Sequence, residues 1–116
     1  MYENIIQYID TQLDHDLSLE YLAGKFYVSK YHIAHIFKEN TGISIHQYIM
    51  KKRLAACQDA ILSNISITKA YLMFGFKDYS SFYRAFKKEY GISPKEYRDM
   101  KIQLQQRSPQ KKENVP

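Results

Sequence analysis

The feature that most constrains this chain is an internal repeat. A helical pattern of apolar residues that begins at Ser18 returns at Ser66, 48 residues later. After a short turn the spacing between matching residues becomes 49, as between Phe37 and Phe86. The one-residue change falls in the turn, where insertions are tolerated best. The chain therefore contains two copies of a unit made of a helix, a tight turn and a second helix.

Each copy carries the sequence signals of helices that bury one face. In the first copy Leu19, Leu22, Ala23 and Phe26 recur at the i, i+3, i+4, i+7 spacing of a core-facing helix. A serine or aspartate precedes each apolar segment, as expected for residues that cap helix N-termini. Two of these caps also begin a capping box, with glutamine or glutamate three residues later. The predicted N-caps are Ser18, Ser29, Ser44, Ser66, Asp78 and Ser93.

These signals predict an all-α fold. The chain has only 3 prolines and 4 glycines among 116 residues, which favours helices over a sheet-rich fold. The two helix-turn-helix units cover 18–41 and 66–90, and a long linker helix covers 44–62. We expect one ordered domain over 1–101. The segment 102–116 is expected to contain the end of the last helix and a disordered tail, because the sequence is polar and unpatterned from Arg107 onward.

Composition limits the partners and the compartment. The net charge of +5 suits a polyanionic partner, although charge alone is weak evidence. A single cysteine, Cys57, cannot form an internal disulfide, so a reducing, cytoplasmic compartment is expected. No apolar run is long enough to cross a bilayer, and the N-terminus has no signal-peptide pattern. We therefore expect no membrane partner.

The second helix of a helix-turn-helix presents its outer face to the DNA major groove. The two outer faces occupy matching positions and contain no acidic residue, whereas acids such as Glu39 and Glu89 are expected to lie elsewhere. The base contacts predicted from these faces are Tyr31, Ala34, His35, Tyr79, Ser80, Tyr83 and Arg84. The predicted phosphate contacts are Ser29, Lys30, Lys38, Ser44, Lys77, Lys87 and Lys88.

Other roles remain open for some of these residues. His35 can bond a phosphate instead of a base, and Tyr83 can pack against the first helix of its unit. Some of the lysines can simply be solvated. The linker from Ser44 to Leu62 spans roughly 28 Å as a helix, close to the ~34 Å between successive major grooves. The second helix of each unit, which presents its outer face to DNA, is called its recognition helix. One chain is therefore expected to place its two recognition helices in adjacent grooves.

The chain resembles the tandem helix-turn-helix domain of AraC/XylS-type transcription regulators. The resemblance covers about 2–101, nearly all of the chain expected to be ordered. It rests on short motifs at fixed spacing. They are Ser18-Leu19-x-x-Leu22-Ala23, Ser29-Lys30-Tyr31-His32-Ile33, Phe37-Lys38, Gly42-Ile43-Ser44, Tyr48-Ile49, Arg53-Leu54, Ser66-Ile67-Thr68, Gly75-Phe76, Phe82-Tyr83-Arg84-Ala85-Phe86-Lys87-Lys88, Gly91-Ile92-Ser93-Pro94 and Tyr97-Arg98.

The resemblance implies seven helices in two subdomains, with DNA contacts from the third and sixth. It also implies contact with RNA polymerase and favours an activator, although the sequence does not decide between activation and repression. The chain is similar to the stand-alone members, unless it is a fragment of a longer regulator. No sensor domain is recognised, so no cofactor and no small-molecule ligand are expected.

Three positions depart from the family pattern. Tyr27 stands where a glycine is common, so the first turn is expected to be distorted or differently built. Ala70-Tyr71 replaces an Ile-Ala pair, so Tyr71 is expected to be partly exposed or to displace the packing. Cys57 replaces a small core residue, commonly alanine.

Other function classes fit the sequence less well. No phosphate-binding loop, HExxH motif or nucleophile elbow is present, so an enzyme is not expected. His32 and His35 have no third ligand at a suitable spacing, so no metal site is expected. A single-stranded RNA binder would need exposed aromatic rings, and only tyrosines are available for that role. The main alternative is a helical protein-interaction module, for example an anti-activator that keeps the fold without binding DNA.

Overall fold

The structure, a computed structural model, describes the backbone of residues 1–113 and the side chains of residues 1–104. This part of the chain forms seven α-helices and no strand, so the predicted all-α fold is confirmed. None of the helices in it is long and apolar enough to cross a membrane. In chain order the helices are α1 (Tyr2–Thr11), α2 (Leu19–Lys25), α3 (Lys30–Thr41), α4 (Ile45–Leu62), α5 (Ile67–Met73), α6 (Tyr79–Tyr90) and α7 (Pro94–Glu113).

The helices are distributed over two compact units. Unit 1 consists of Met1–Ala56 together with Met73–Gly75, and unit 2 consists of Cys57–Leu72 together with Phe76–Pro116. The long helix α4 is continuous across the boundary between them. Unit 1 contains α3 and unit 2 contains α6, so each unit contains one of the two helices expected to enter a major groove.

All predicted N-caps are confirmed by hydrogen bonds. At each one, the side-chain oxygen of the capping residue accepts the backbone N–H three residues later, which satisfies one of the unpaired donors of the first helical turn. At Ser44 and Ser93 the capping box is complete, because the Gln47 and Glu96 side chains accept the cap's own N–H at 3.0 Å. The acceptor and donor pairs are Ser18 with Tyr21, Ser29 with His32, Ser44 with Gln47, Ser66 with Lys69, Asp78 with Ser81 and Ser93 with Glu96.

Unit 1 is built around apolar faces of α1, α2, α3 and the first part of α4. Ile5, Leu22, Ile33 and Phe37 have no exposed surface. The Phe37 ring packs edge-on against Tyr2 and Tyr48, at 5.5 and 5.1 Å between ring centroids. This core fixes the inner face of α3 and leaves its opposite face toward solvent. The other buried members are Ile9, Leu17, Ala23, Ile45 and Ile49.

Unit 2 has a largely aromatic core. Phe82 and Phe86 of α6 are completely buried, with 5.5 Å between their ring centroids. Tyr71 is 8% exposed and stacks on Phe82 at 5.3 Å, with 22° between the ring planes. The expectation that Tyr71 is partly exposed is therefore wrong. The small neighbour Ala70 is completely buried, and Tyr71 fills the space over Phe82. Cys57 is buried, as its predicted core position requires.

The turns between the paired helices have a positive φ at the equivalent position and the same backbone hydrogen bond in both copies. Tyr27 has φ 57° and Gly75 has φ 91°. In each turn the N–H of the following residue donates to a carbonyl five residues earlier, from Val28 to Ala23 and from Phe76 to Tyr71, both at 3.0 Å. The expected distortion of the first turn is therefore absent, because Tyr27 adopts the left-handed conformation that glycine adopts elsewhere.

The last helix is longer than the sequence predicted. Its backbone is helical to Glu113, so the expected loss of structure from residue 107 onward is not seen over 107–113. Five of the seven residues of 107–113 are arginine, glutamine, lysine or glutamate, which are good helix formers, although Pro109 is not. The remainder of the predicted tail, 114–116, lies outside the described residues.

Candidate nucleic-acid interface

The outer face of α6 brings together the four base contacts predicted for the second copy. Tyr79, Ser80, Tyr83 and Arg84 line one surface depression with a volume of about 330 Å³. Ser80 and Arg84 are exposed, Tyr79 is 44% exposed and Tyr83 is half-buried. Polar groups and a planar guanidinium on one helix face are what reading base edges requires.

The position of this face follows from how α6 begins and what it buries. Asp78 caps the helix by accepting the Ser81 N–H at 2.8 Å. Hydrogen bonds from the Ser81 backbone, and then from its side chain, lower the pKa of Asp78. Phe82 and Phe86 point into the core of unit 2 and have no exposed surface. Arg84, which lies midway between them along the helix, is therefore exposed to solvent.

The predicted phosphate contacts of the second copy are exposed lysines. Lys77 precedes the Asp78 cap, and Lys87 and Lys88 lie in the last turn of α6. The Lys87 ammonium also lies 5.9 Å from the centroid of the Tyr83 ring, within cation–π range. Lys87 is therefore both a predicted phosphate contact and a neighbour of Tyr83, one of the predicted base contacts that line the depression.

The outer face of α3 in unit 1 is also accessible. Tyr31 is 81% exposed, and its ring is parallel to that of His35 with 6.2 Å between centroids. Lys30, His35 and Lys38 are exposed, and Ala34 is half-buried. The aromatic pair presents a flat surface with a polar edge, which suits contact with bases or sugars.

Two acidic residues border this α3 face. Glu39 lies 3.2 Å from the His35 Nε2, and Glu20 of α2 lies 3.4 Å from the Lys30 Nζ. The Glu20 backbone amide, followed by Lys30, lowers the pKa of the Glu20 carboxyl. The prediction that Glu39 lies away from the face is therefore wrong. The contact between His35 and Glu39 could have been predicted from the sequence, because residues four apart in a helix are neighbours. The contact between Glu20 and Lys30 could not, because it depends on how α2 packs beside α3.

The serines predicted to contact phosphates use their hydroxyls as helix caps. Ser29 accepts the His32 N–H at 3.0 Å, and Ser44 accepts the Gln47 N–H at 3.1 Å. Any phosphate at these positions would meet the backbone amides of the first helical turn. Ser29 is exposed and Ser44 is half-buried, which makes the end of α3 the more open of the two.

Arg53 stabilises unit 1 and is not one of the predicted contacts. Its Nε and Nη2 donate to the carbonyls of Leu13 and His15, at 3.2 and 2.8 Å. These bonds connect α4 to the segment between α1 and α2. A depression of about 530 Å³ on unit 1 includes Arg53 and Ser18 but none of the predicted DNA contacts. Among the described side chains, no group of three or more His, Cys, Asp or Glu residues is arranged to hold a metal ion.

Known proteins resemble this chain in sequence and in structure. Residues 22–100 match a family described as a helix-turn-helix domain. The probable transcription factor PqrA of Proteus vulgaris is 30% identical over 99 residues, which are 83% of this chain and 81% of PqrA. The C-terminal domain of AraT, a response regulator from Geobacillus stearothermophilus, is 30% identical with a TM-score of 0.81, covering 85% of this chain and 84% of that one.

A third similarity concerns the fold. The DNA-binding domain of the global transcriptional factor AdpA, solved in complex with a target DNA, has a TM-score of 0.81 at 22% identity, covering 94% of this chain and 96% of that one. The chain spans about a third to two fifths of several other curated relatives. The similar proteins described here are named as transcription factors and regulators, and none of them as an enzyme.

Proposed function

The chain belongs to the AraC-type family of helix-turn-helix transcription regulators, and on this premise we propose that it reads two adjacent major grooves of double-stranded DNA and activates transcription. The observation that carries the proposal is the α6 face. Four polar or aromatic side chains border one depression there, and Lys77, Lys87 and Lys88 are exposed on or next to the same helix.

In this proposal Arg84 is the main base contact of the second recognition helix. Its planar guanidinium can donate two parallel hydrogen bonds to guanine O6 and N7, a contact that discriminates by about 1–3 kcal/mol against other bases. Ser80 and Tyr79 reach base edges near the start of α6. Tyr83 contacts a sugar or a base with the exposed part of its half-buried ring.

The first recognition helix, α3, contributes Tyr31, Ala34 and His35 to the bases. Ala34 contacts a thymine methyl, and the stacked Tyr31 and His35 rings reach bases beside it. Lys30 and Lys38 contact phosphates. Lys30 must exchange Glu20 for a phosphate, and this exchange costs little because ion pairs between exposed side chains are weak.

The length of α4 supports the reading of two grooves by one chain. Its 18 residues make a helix about 27 Å long, comparable with the ~34 Å repeat of the major groove. We propose a binding site of about two helical turns of DNA. Activation would require a contact with RNA polymerase, which we propose as the protein partner by family membership.

A salt titration of duplex binding tests the nucleic-acid assignment. We expect affinity for duplex DNA to fall steeply with salt, by roughly 0.9 in log–log slope for each phosphate neutralised. Lys38→Ala should weaken binding to every duplex alike and reduce the slope by about 0.9, because one phosphate contact is lost. Lys69→Ala is the matched control, because Lys69 lies on α5, the first helix of the second unit, and is not a predicted DNA contact. It should change the slope little. A flat salt response of the unmodified protein would instead favour the protein-interaction module.

A further inference from the structure

Tyr27, in the turn of the first helix-turn-helix, combines backbone strain with an exposed side chain. Its φ is 57°, and 94% of its surface is exposed. For a residue with a Cβ the left-handed conformation costs roughly 1–2 kcal/mol relative to the right-handed one. Elsewhere in the described chain the positive-φ positions are held by glycine or by Asn64, which tolerate it better.

Packing inside the protein does not account for this residue. Within the described chain the Tyr27 ring makes no hydrogen bond and no ring contact, and nearly all of it faces solvent. A glycine would form the same turn without strain, as Gly75 does in the second copy. Within the described residues the side chain therefore makes no contact that offsets the cost of its backbone conformation, which points to a use outside this part of the chain.

The backbone holds Tyr27 in one place. Its own N–H donates to the Gly24 carbonyl at 3.4 Å, and the next N–H, of Val28, donates to Ala23 at 3.0 Å. Ser29, two residues later, caps α3. Two residues span at most about 7 Å, so the Tyr27 backbone, from which the ring extends, lies close to the N-terminus of α3.

The surroundings of the ring suit an anion. Backbone amides at a helix N-terminus attract phosphates. Lys25 precedes the turn and Lys30 follows it, each within a few residues of Tyr27. Tyrosine hydroxyls are among the side-chain groups that bond phosphate oxygens in protein–DNA complexes. Bases inside the groove are approached instead by the outer face of α3, which is already occupied by Tyr31 and His35.

We propose that Tyr27 contacts the sugar–phosphate backbone beside the first recognition helix, with its hydroxyl donating a hydrogen bond to a phosphate oxygen and its ring covering the adjacent sugar. This inference rests on the proposed function. The contact belongs to the first copy alone. A Cβ at the equivalent Gly75 would lie 2.8 Å from Arg53 Nη1, so a side chain at the second turn would have to displace the Arg53 guanidinium.

Three variants test the proposal through folding and binding together. Tyr27→Gly should raise the melting temperature by a few degrees, because the strained φ becomes acceptable. The same variant should weaken binding to every duplex by about ten- to a hundred-fold, as expected for losing a hydrogen bond to a charged group. Tyr27→Phe should show most of the same loss of affinity, because it lacks the hydroxyl, and its melting temperature should not rise. Asn64→Gly relieves a similar φ and is the matched control, with binding unchanged.

Affinity is measured on a preferred duplex and on an unrelated one of the same length, over a range of salt. The loss should be equal on both, and the salt slope should not change, because a neutral tyrosine displaces no counterion. Binding by Tyr27→Gly as tight as that of the unmodified protein would overturn the inference, and a loss confined to one sequence would overturn the phosphate assignment. If the unmodified protein itself binds no duplex, the proposed function fails and this inference fails with it.

Discussion

The equivalent residues of the two turns differ in how much space surrounds them, although both have a positive φ. Gly75 has φ 91°, and a Cβ there would meet the Arg53 guanidinium at 2.8–2.9 Å. Arg53 cannot move without weakening its bonds to the Leu13 and His15 carbonyls. Tyr27 has φ 57° and an almost fully exposed side chain. Glycine is therefore required at the second turn for space as well as conformation, whereas the first turn tolerates a large residue.

Gly75→Ala should destabilise the protein by about 1–3 kcal/mol, because it adds the cost of a positive φ and displaces Arg53. Gly24→Ala is the matched control. Gly24 lies in α2, and a Cβ there would meet nothing within 4 Å. The control should stabilise by about 0.5–1 kcal/mol, since alanine is the better helix former. Urea denaturation measures both. Equal effects of the two substitutions would show that the turn does not require glycine.

At the scale of elements, the two recognition helices differ in charge. The outer face of α3 is bordered by Glu39, which pairs with His35, and by Glu20, which pairs with Lys30. The position in α6 that corresponds to Glu39 is Lys88, an exposed base. The positive charge on the outer face of α3 is therefore partly compensated within the protein, whereas α6 has a further positive charge at the corresponding position.

Glu39→Gln should tighten duplex binding roughly two- to five-fold at low salt, since it removes a repulsive charge and releases His35 from an exposed pair. The gain should fade as salt rises, because screening weakens interactions between exposed charges. Glu3→Gln removes the same charge from α1 and is the control. Fluorescence anisotropy measures the duplex affinity of both variants at low and high salt. Weaker binding by Glu39→Gln would mean that the contact with Glu39 holds His35 in its productive orientation.

The helices themselves were largely predictable from sequence, and their contacts were not. Each cap is a local interaction over three residues, so Ser29 or Asp78 identifies a helix start without knowledge of the fold. The burial of Tyr71 depends on Phe82, which lies in the next helix. The pairing of Glu20 with Lys30 likewise depends on packing between helices. Tyr27 was recognised as unusual, but its conformation and exposure required the structure.

At the scale of the whole molecule, the account requires one chain to supply two recognition helices. The repeat makes α3 and α6 equivalent in register, and α4 is one uninterrupted helix of 18 residues between them. The candidate faces were predictable because residues that face solvent on an amphipathic helix can be identified from periodicity alone. Which bases they read cannot be derived in this way, because the side-chain conformations at the groove are set in the complex.

Selection of bound duplexes from a random pool tests the central claim most directly. The account predicts two short conserved blocks whose centres lie about 10 base pairs apart, one helical turn of DNA. Selection with Arg84→Ala should remove the preference within one block and preserve the other. A single block, or loss of both blocks from this one substitution, would contradict the reading of two grooves by two separate helices. An unchanged random pool would contradict sequence-specific DNA binding altogether.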